Sequence, residues 1–127
     1  DTGSPHHVEF IKNINDIDVR IQGAMIAHSD TYGVEGTNVN FTEVENGGQV
    51  KVRTFERGVE NETLSCGTGV TAAALAAFST GKVTNSKIEV HTLGGVLTVS
   101  FTPSGKGFSD IVLTGPTELI FSGTLEL

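Results

Sequence analysis

Ser65-Cys66-Gly67-Thr68-Gly69, running straight into Val70-Thr71-Ala72-Ala73-Ala74-Leu75-Ala76-Ala77-Phe78-Ser79, is the stretch whose reading decides the fold. Alanine is the strongest helix former and glycine a common stop. The run therefore predicts a helix over Val70 to Ser79, ended at Gly81. Almost every residue in it is apolar, so all of its faces should be buried. The flanking sequence reads as strands. A buried helix inside a strand-rich chain predicts an α+β domain, a mostly antiparallel sheet wrapped around one central helix.

Upstream of that helix, His7 to Ile11 reads as a first strand, followed by the turn cluster Asn13-Ile14-Asn15-Asp16. Asp16 to Ala27 is ambiguous. Ile17, Val19 and Ile21 alternate as in a strand, while Ile14, Ile17 and Ile21 fit helical spacing; a short helix is the preferred reading. Gly36 to Val44 and Gln49 to Thr54 form a hairpin about Gly47-Gly48. Phe55 to Leu64 reads as a long polar loop. Downstream, strands are expected at Lys87 to Thr92, Val96 to Phe101, Ser109 to Leu113, and Glu118 to Phe121 continuing towards Leu127. Gly94-Gly95, Pro103 to Gly107 and Gly115-Pro116 separate them. The sum is seven to eight strands around one helix. With 16 glycines and no tryptophan among 127 residues, the composition suits one β-rich domain with many tight turns.

The net charge is −7, from 8 Lys+Arg against 15 Asp+Glu. Without a basic cluster, nucleic acid is not an expected partner. The longest apolar run, Ala72 to Phe78, is far short of the roughly 20 residues a membrane span needs. No secretory signal is visible at the start of the sequence. A single cysteine excludes an internal disulfide framework and suits a reducing cytosol, so a cytoplasmic location is expected.

That cysteine is also the leading candidate for chemistry. At Cys66 a thiol meets the positive end of the helix dipole, which favours thiolate. The glycines beside it let backbone N–H groups approach an anion. The plainer reading is a small buried Cys with glycines that merely turn the chain. In Glu56-Arg57, Arg suits carboxylate recognition, and Glu is either a proton acceptor or Arg's partner in a solvated ion pair. His6 and His7 follow a Pro-fixed turn. Adjacent residues on a strand point to opposite faces, so the two histidines make no metal pair, though either could shuttle protons. No other ligand spacing suggests a metal. Asn38 and Asn40 lie on one strand face, either fixing a head group or serving as edge-strand amides.

Taken in order, Gly-Ser-Pro-His-His-Val (Gly3 to Val8), Gly-Thr-Asn-Val-Asn-Phe (Gly36 to Phe41), Arg-Thr-Phe-Glu-Arg-Gly-Val-Glu (Arg53 to Glu60) and Glu-Thr-Leu-Ser-Cys-Gly-Thr-Gly (Glu62 to Gly69) resemble the C-terminal half of the diaminopimelate epimerases. Gly94 to Val99 and Leu113 to Pro116 extend the resemblance over nearly the whole chain. It implies a half-barrel fold and an isomerase that works without pyridoxal phosphate or any other cofactor. It implies that Cys66 is one of two thiols exchanging the α-proton of LL- and meso-diaminopimelate, a step of lysine and peptidoglycan precursor synthesis. Glu56 and His6 match positions that assist proton transfer. Asn38 and Arg57 match residues holding the distal end of the substrate, and Gly67 and Thr68 match the carboxylate-binding helix start. Ser4 stands where many members carry Asn, with a shorter reach to substrate.

The second thiol of the family sits in a pseudo-symmetric N-terminal half. The resemblance therefore makes residues 1–127 a single domain whose partner half lies outside this sequence. It implies no turnover by the chain alone, and a terminal segment, Phe121 to Leu127, displaced or paired with another molecule. A homodimer is a further expectation. Sister isomerases of the same two-half fold, of the proline racemase or phenazine-pathway type, are the nearest alternatives; a non-catalytic domain binding an anion or a partner is another. The pairing of Glu56-Arg57 with Cys66-Gly67-Thr68-Gly69 favours the epimerase.

Overall fold

A computed structural model describes residues 2–105 and 107–126. Its elements are β1 (His6–Phe10), a single 3-10 turn (Ile14–Asp16), α1 (Val19–Ala27), β2 (Asn38–Val44), β3 (Val50–Glu56), β4 (Asn61–Thr63), α2 (Gly67–Ser79), β5 (Lys87–Thr92), β6 (Gly95–Ser104) and β7 (Gly107–Thr114). The seven strands form one mixed sheet in the order β1-β2-β3-β5-β6-β7, with β4 on β3, curled as a half-barrel. Four of the pairings are antiparallel; β1–β2 and β3–β5 are parallel. Each parallel pair needs a crossover. α1 lies on the connection from β1 to β2, and α2 on the connection from β3 to β5.

Side-chain alternation sends the two faces of β2 and β3 to different helices. Val39, Phe41 and Phe55 pack under α1 with Ile14, Val19 and Ala27. Val50 and Val52 pack with Val70, Ala73, Ala74 and Ala77 of α2 and with Ile88, Val90 and Val99. Full burial of Phe41 and Phe55 contributes about 1.5–3 kcal/mol each. Gly23 lets α1 lie directly on β3, since a Cβ there would overlap Phe55 and sit 2.6 Å from its Cγ.

The helix at Val70 to Ser79 is present and begins three residues earlier, at Gly67. Gly81, at φ 70°, ends it as expected, with the Lys82 N–H closing onto Ala77 O at 2.9 Å. Burial of every face does not hold. Ala72, Leu75 and Ala76 are only half-buried and Ser79 is exposed, a stripe down one side. A second helix, α1, lies where a short helix is the preferred reading. Asp18 caps α1, accepting from the Ile21 N–H at 2.9 Å, which settles the ambiguous segment as a 3-10 turn followed by a helix.

Two further expectations are corrected. Phe55 to Leu64 is not a loop: β3 runs to Glu56, and Asn61–Thr63 returns as β4 after a tight turn in which Gly58 and Glu60 take φ 88° and 59°. This hairpin is held by Arg53, whose guanidinium grips Glu62 at 2.6 and 2.7 Å and the carbonyls of Ile14 and Ile17. Glu118 to Phe121 is not a strand. No regular structure follows Thr114 through residue 126, and Leu119, Ile120, Phe121 and Leu125 are more than 80 % exposed. A strand needs a partner edge for its N–H and C=O groups, and none is paired with it here. Leu127 lies outside the described residues.

Candidate active site

The α2-facing side of β2 is polar where its other side is apolar. Asn38, Asn40 and Thr42, with Thr54 of β3, are buried there. Beside them, the parallel register of β1 (His6 against Asn38, Val8 against Asn40) turns His6 towards α2 and His7 away from it. His7 instead meets the Tyr32 hydroxyl at 2.6 Å on the other side. Opposite faces for the two histidines are thus borne out. The edge-amide reading of the asparagines is not, because β2 is an interior strand.

His6 sits at the start of α2. Its Nε2 lies 2.9 Å from Thr68 Oγ1 and 3.0 Å from Ser4 Oγ. Thr68 Oγ1 in turn lies 3.5 Å from Cys66 Sγ. Cys66 occupies the N-cap position of α2 and is half-buried. It makes no side-chain cap bond to the helix N–H groups, so the N-cap residue leaves the donors of the first turn of α2 untaken. Thr2 fastens the N-terminal segment to this turn, donating to Thr68 O at 2.8 Å. Burial, the largest cause, lowers the His6 pKa from its ordinary value near 6.5; the Glu56 carboxylate opposes this and the Arg57 guanidinium adds to it. The ring is therefore held towards the neutral form, able to accept at one nitrogen and donate at the other.

Asn38 ties the Ser4–Pro5 segment to the turn at Arg57. Its amide donates to Ser4 Oγ and to Pro5 O, both at 3.2 Å, and its oxygen accepts from the Arg57 N–H at 2.9 Å. The Arg57 guanidinium reaches back to Glu35 O at 3.0 Å and Gly36 O at 3.4 Å. Among the described residues, Glu56 and Arg57 form no ion pair with each other, so the solvated-pair reading of that dipeptide is corrected. Gly67 carries the first turn of α2; its carbonyl accepts from Thr71 Oγ1 at 2.9 Å. A Cβ on Gly67 would lie 3.0 Å from Leu113 Cδ2, so β7 comes close to the same helix start.

Ser4, His6, Asn38, Thr68 and Cys66 are thus linked in one hydrogen-bonded cluster, with Arg57 joined through its backbone. Such an arrangement brings a thiol, a neutral imidazole and a helix N-terminus together, the parts needed to move a proton next to a bound anion. The profile of the diaminopimelate epimerase family matches residues 1–120.

The chain belongs to the diaminopimelate epimerase family. It is 48 % identical over 124 residues to the diaminopimelate epimerase of Flavobacterium psychrophilum, covering 98 % of this chain and 48 % of that protein. With the diaminopimelate epimerase of Chlorobaculum tepidum it shares 44 % over 128 residues, covering 100 % and 49 %. The chain spans about half the length of these family members. Among solved structures, a PhzC/PhzF-type phenazine biosynthesis protein of Clostridium difficile superposes with a TM-score of 0.59 at 21 % identity, over 78 % of this chain and 34 % of that one. A PhzF-family protein of Enterococcus faecalis gives the same TM-score at 20 % identity, with the same coverage. At such identities the likeness extends to the fold alone.

Asn40, which the sequence pairs with Asn38 on one strand face, also joins this cluster, through His6. Its amide donates to His6 Nδ1 and to His7 O, both at 3.0 Å, and its oxygen accepts from Thr54 Oγ1 at 3.0 Å.

Proposed function

We propose that this chain is one half of a diaminopimelate epimerase and that Cys66 is one of its two acid/base thiols. The observation that carries the reading is the linked His6, Thr68 and Cys66 at the first turn of α2, in a chain of this family. As thiolate, Cys66 takes the α-proton from one face of the amino acid. The C–H bond breaks, an S–H bond forms, and the electron pair stays on the α-carbon, delocalised into the carboxylate. A thiol of the other half then protonates the opposite face, and the configuration is inverted. The charge that grows on the carboxylate is met by the N–H groups around Gly67 and Thr68 at the positive end of α2. His6 and Glu56 adjust the protonation of Cys66 between turnovers, while Asn38, Arg57 and Ser4 hold the distal amino-acid end. No cofactor takes part in this scheme.

Two bases are needed on opposite faces, and this sequence contains a single cysteine. Residues 1–127 are thus proposed as one domain that turns over only with an N-terminal half. The exposed Ile111, Val112 and Leu113 of β7, with Leu119, Ile120 and Phe121 beyond it, support a covering partner surface of that kind. A cytoplasmic location and dimerisation of the two-half enzyme belong to the same proposal. Among the described residues, no helix is long and apolar enough to cross a membrane. The test is LL-to-meso conversion by this chain combined with the N-terminal half of a family member. Conversion that disappears in Cys66→Ala is expected; conversion that survives that change would contradict the assignment.

A further inference from the structure

His6 has two ring nitrogens, and the chemistry at Cys66 depends on which of them carries the proton. The surroundings decide it. Asn40 is fully buried. One of its amide hydrogens goes to His7 O, which can only accept, so the amide nitrogen is fixed on that side. Its oxygen receives the Thr54 hydroxyl. The other amide hydrogen therefore points at His6 Nδ1, 3.0 Å away, which must accept. The ring proton is left on Nε2, 2.9 Å from Thr68 Oγ1. Accepting there, Thr68 keeps its own hydrogen for the Cys66 sulfur at 3.5 Å, because its other neighbour, Ser4 Oγ at 3.4 Å, already accepts from the Asn38 amide and has its own hydrogen to give.

We propose that Asn40 is a positioning residue for Cys66: it locks His6 as the Nε2–H tautomer and thereby aims the Thr68 hydroxyl at the thiol. Asn40 has no hydrogen bond to Cys66 and acts through the imidazole, whose protonated nitrogen is set by the bond the other nitrogen makes. The neighbouring architecture is shaped around this contact. Gly69 has no side chain where a Cβ would overlap Asn40 Oδ1 and lie 3.3 Å from His6 Cε1. Thr54, on the next strand, is paired directly with Asn40 in the sheet and occupies its oxygen.

The inference rests on the epimerase reading only for its kinetic part. The spectroscopic part needs no activity. In the two-half protein labelled with nitrogen-15 histidine, His6 is expected to show a bare Nδ1 and a protonated Nε2 at alkaline pH. Asn40→Asp keeps the shape but can only accept, so it is expected to move the proton to Nδ1. With Nε2 bare, Thr68 donates to the ring instead of to Cys66. kcat is then expected to fall roughly 10- to 100-fold, the range seen when a partner that orients an imidazole is lost, with KM changed less than about threefold. A wild-type His6 protonated at Nδ1 overturns the proposal, even if Asn40→Asp fails to fold. So does a flipped tautomer with unchanged kcat. The expected tautomer in a folded two-half protein that does not epimerise overturns the functional reading instead.

Discussion

Replacing Gly69 by alanine sets two ordinary effects against each other, and their sizes say which prevails. Gly69 lies inside α2, where alanine is worth about 1 kcal/mol over glycine on helix propensity alone. The new Cβ would overlap Asn40 Oδ1, lie 3.2 Å from Asn40 Cγ and 3.3 Å from His6 Cε1. Asn40 is fully buried and holds three hydrogen bonds, to His6, His7 and Thr54. It has no solvent to move into. Overpacking of this kind costs about 1–3 kcal/mol. Breaking even one of the three bonds adds about 1–3 kcal/mol for a buried group left unsatisfied. The sum is a net loss of about 1–5 kcal/mol. Urea unfolding of the wild-type and Gly69→Ala chains reads this as a lowered midpoint at unchanged slope. A midpoint that rises, as propensity alone demands, would refute the close packing of Asn40 and His6 against α2.

Three other outcomes follow from the same contacts. Thr68→Val keeps the shape and removes the hydroxyl between His6 and Cys66; iodoacetamide should then label Cys66 roughly tenfold more slowly, because a hydrogen bond to a charged acceptor is worth about 1.5–3 kcal/mol, whereas an unchanged rate would remove Thr68 from the site. Arg53→Lys gives up the two-point grip on Glu62 at 2.6 and 2.7 Å and should cost about 1–3 kcal/mol in urea unfolding; a loss below about 0.5 kcal/mol would mean that the β3–β4 hairpin is held by its backbone alone. Because burial lowers the His6 pKa in the folded chain, the unfolded chain binds a proton first as pH falls. His6 therefore contributes to stability fully above about pH 6.5 and loses that contribution as pH drops through the lower folded value. His6→Gln should flatten the fall of the urea midpoint below about pH 6.5, and an identical fall in the variant would show that other groups cause it.

The parts of the fold that were legible in the sequence are those where one local preference dominates. The alanine run of α2 and its Gly81 stop could be read directly, as could the alternation of Val39, Phe41 and their neighbours in β2. β4 could not. Asn61-Glu62-Thr63 is short and polar, and it is a strand because Arg53 reaches it from β3, a contact that no window of sequence contains. Glu118 to Phe121 has strand-like residues without a strand's partner. Apolar content alone overstated it. At the site, Cys66 with its glycines, His6, Asn38 and Asn40 were visible as residue types. Asn40 gained its role from the parallel β1–β2 register and from the missing Cβ at Gly69, neither of which is written in local pattern. The Glu56-Arg57 pair was misjudged for a related reason: the backbone turn at Gly58 sends the Arg57 guanidinium to Glu35 and Gly36 rather than to its neighbour.

Exchange of the α-hydrogen of diaminopimelate in heavy water tests the central claim most directly. Deuterium incorporation is followed by NMR with this chain alone, with an N-terminal half of the family added, and with Cys66→Ala in the same mixture. The account predicts exchange with inversion only in the wild-type mixture and none from the chain alone. Epimerisation by the isolated chain, or a mixture indifferent to the loss of Cys66, would contradict it.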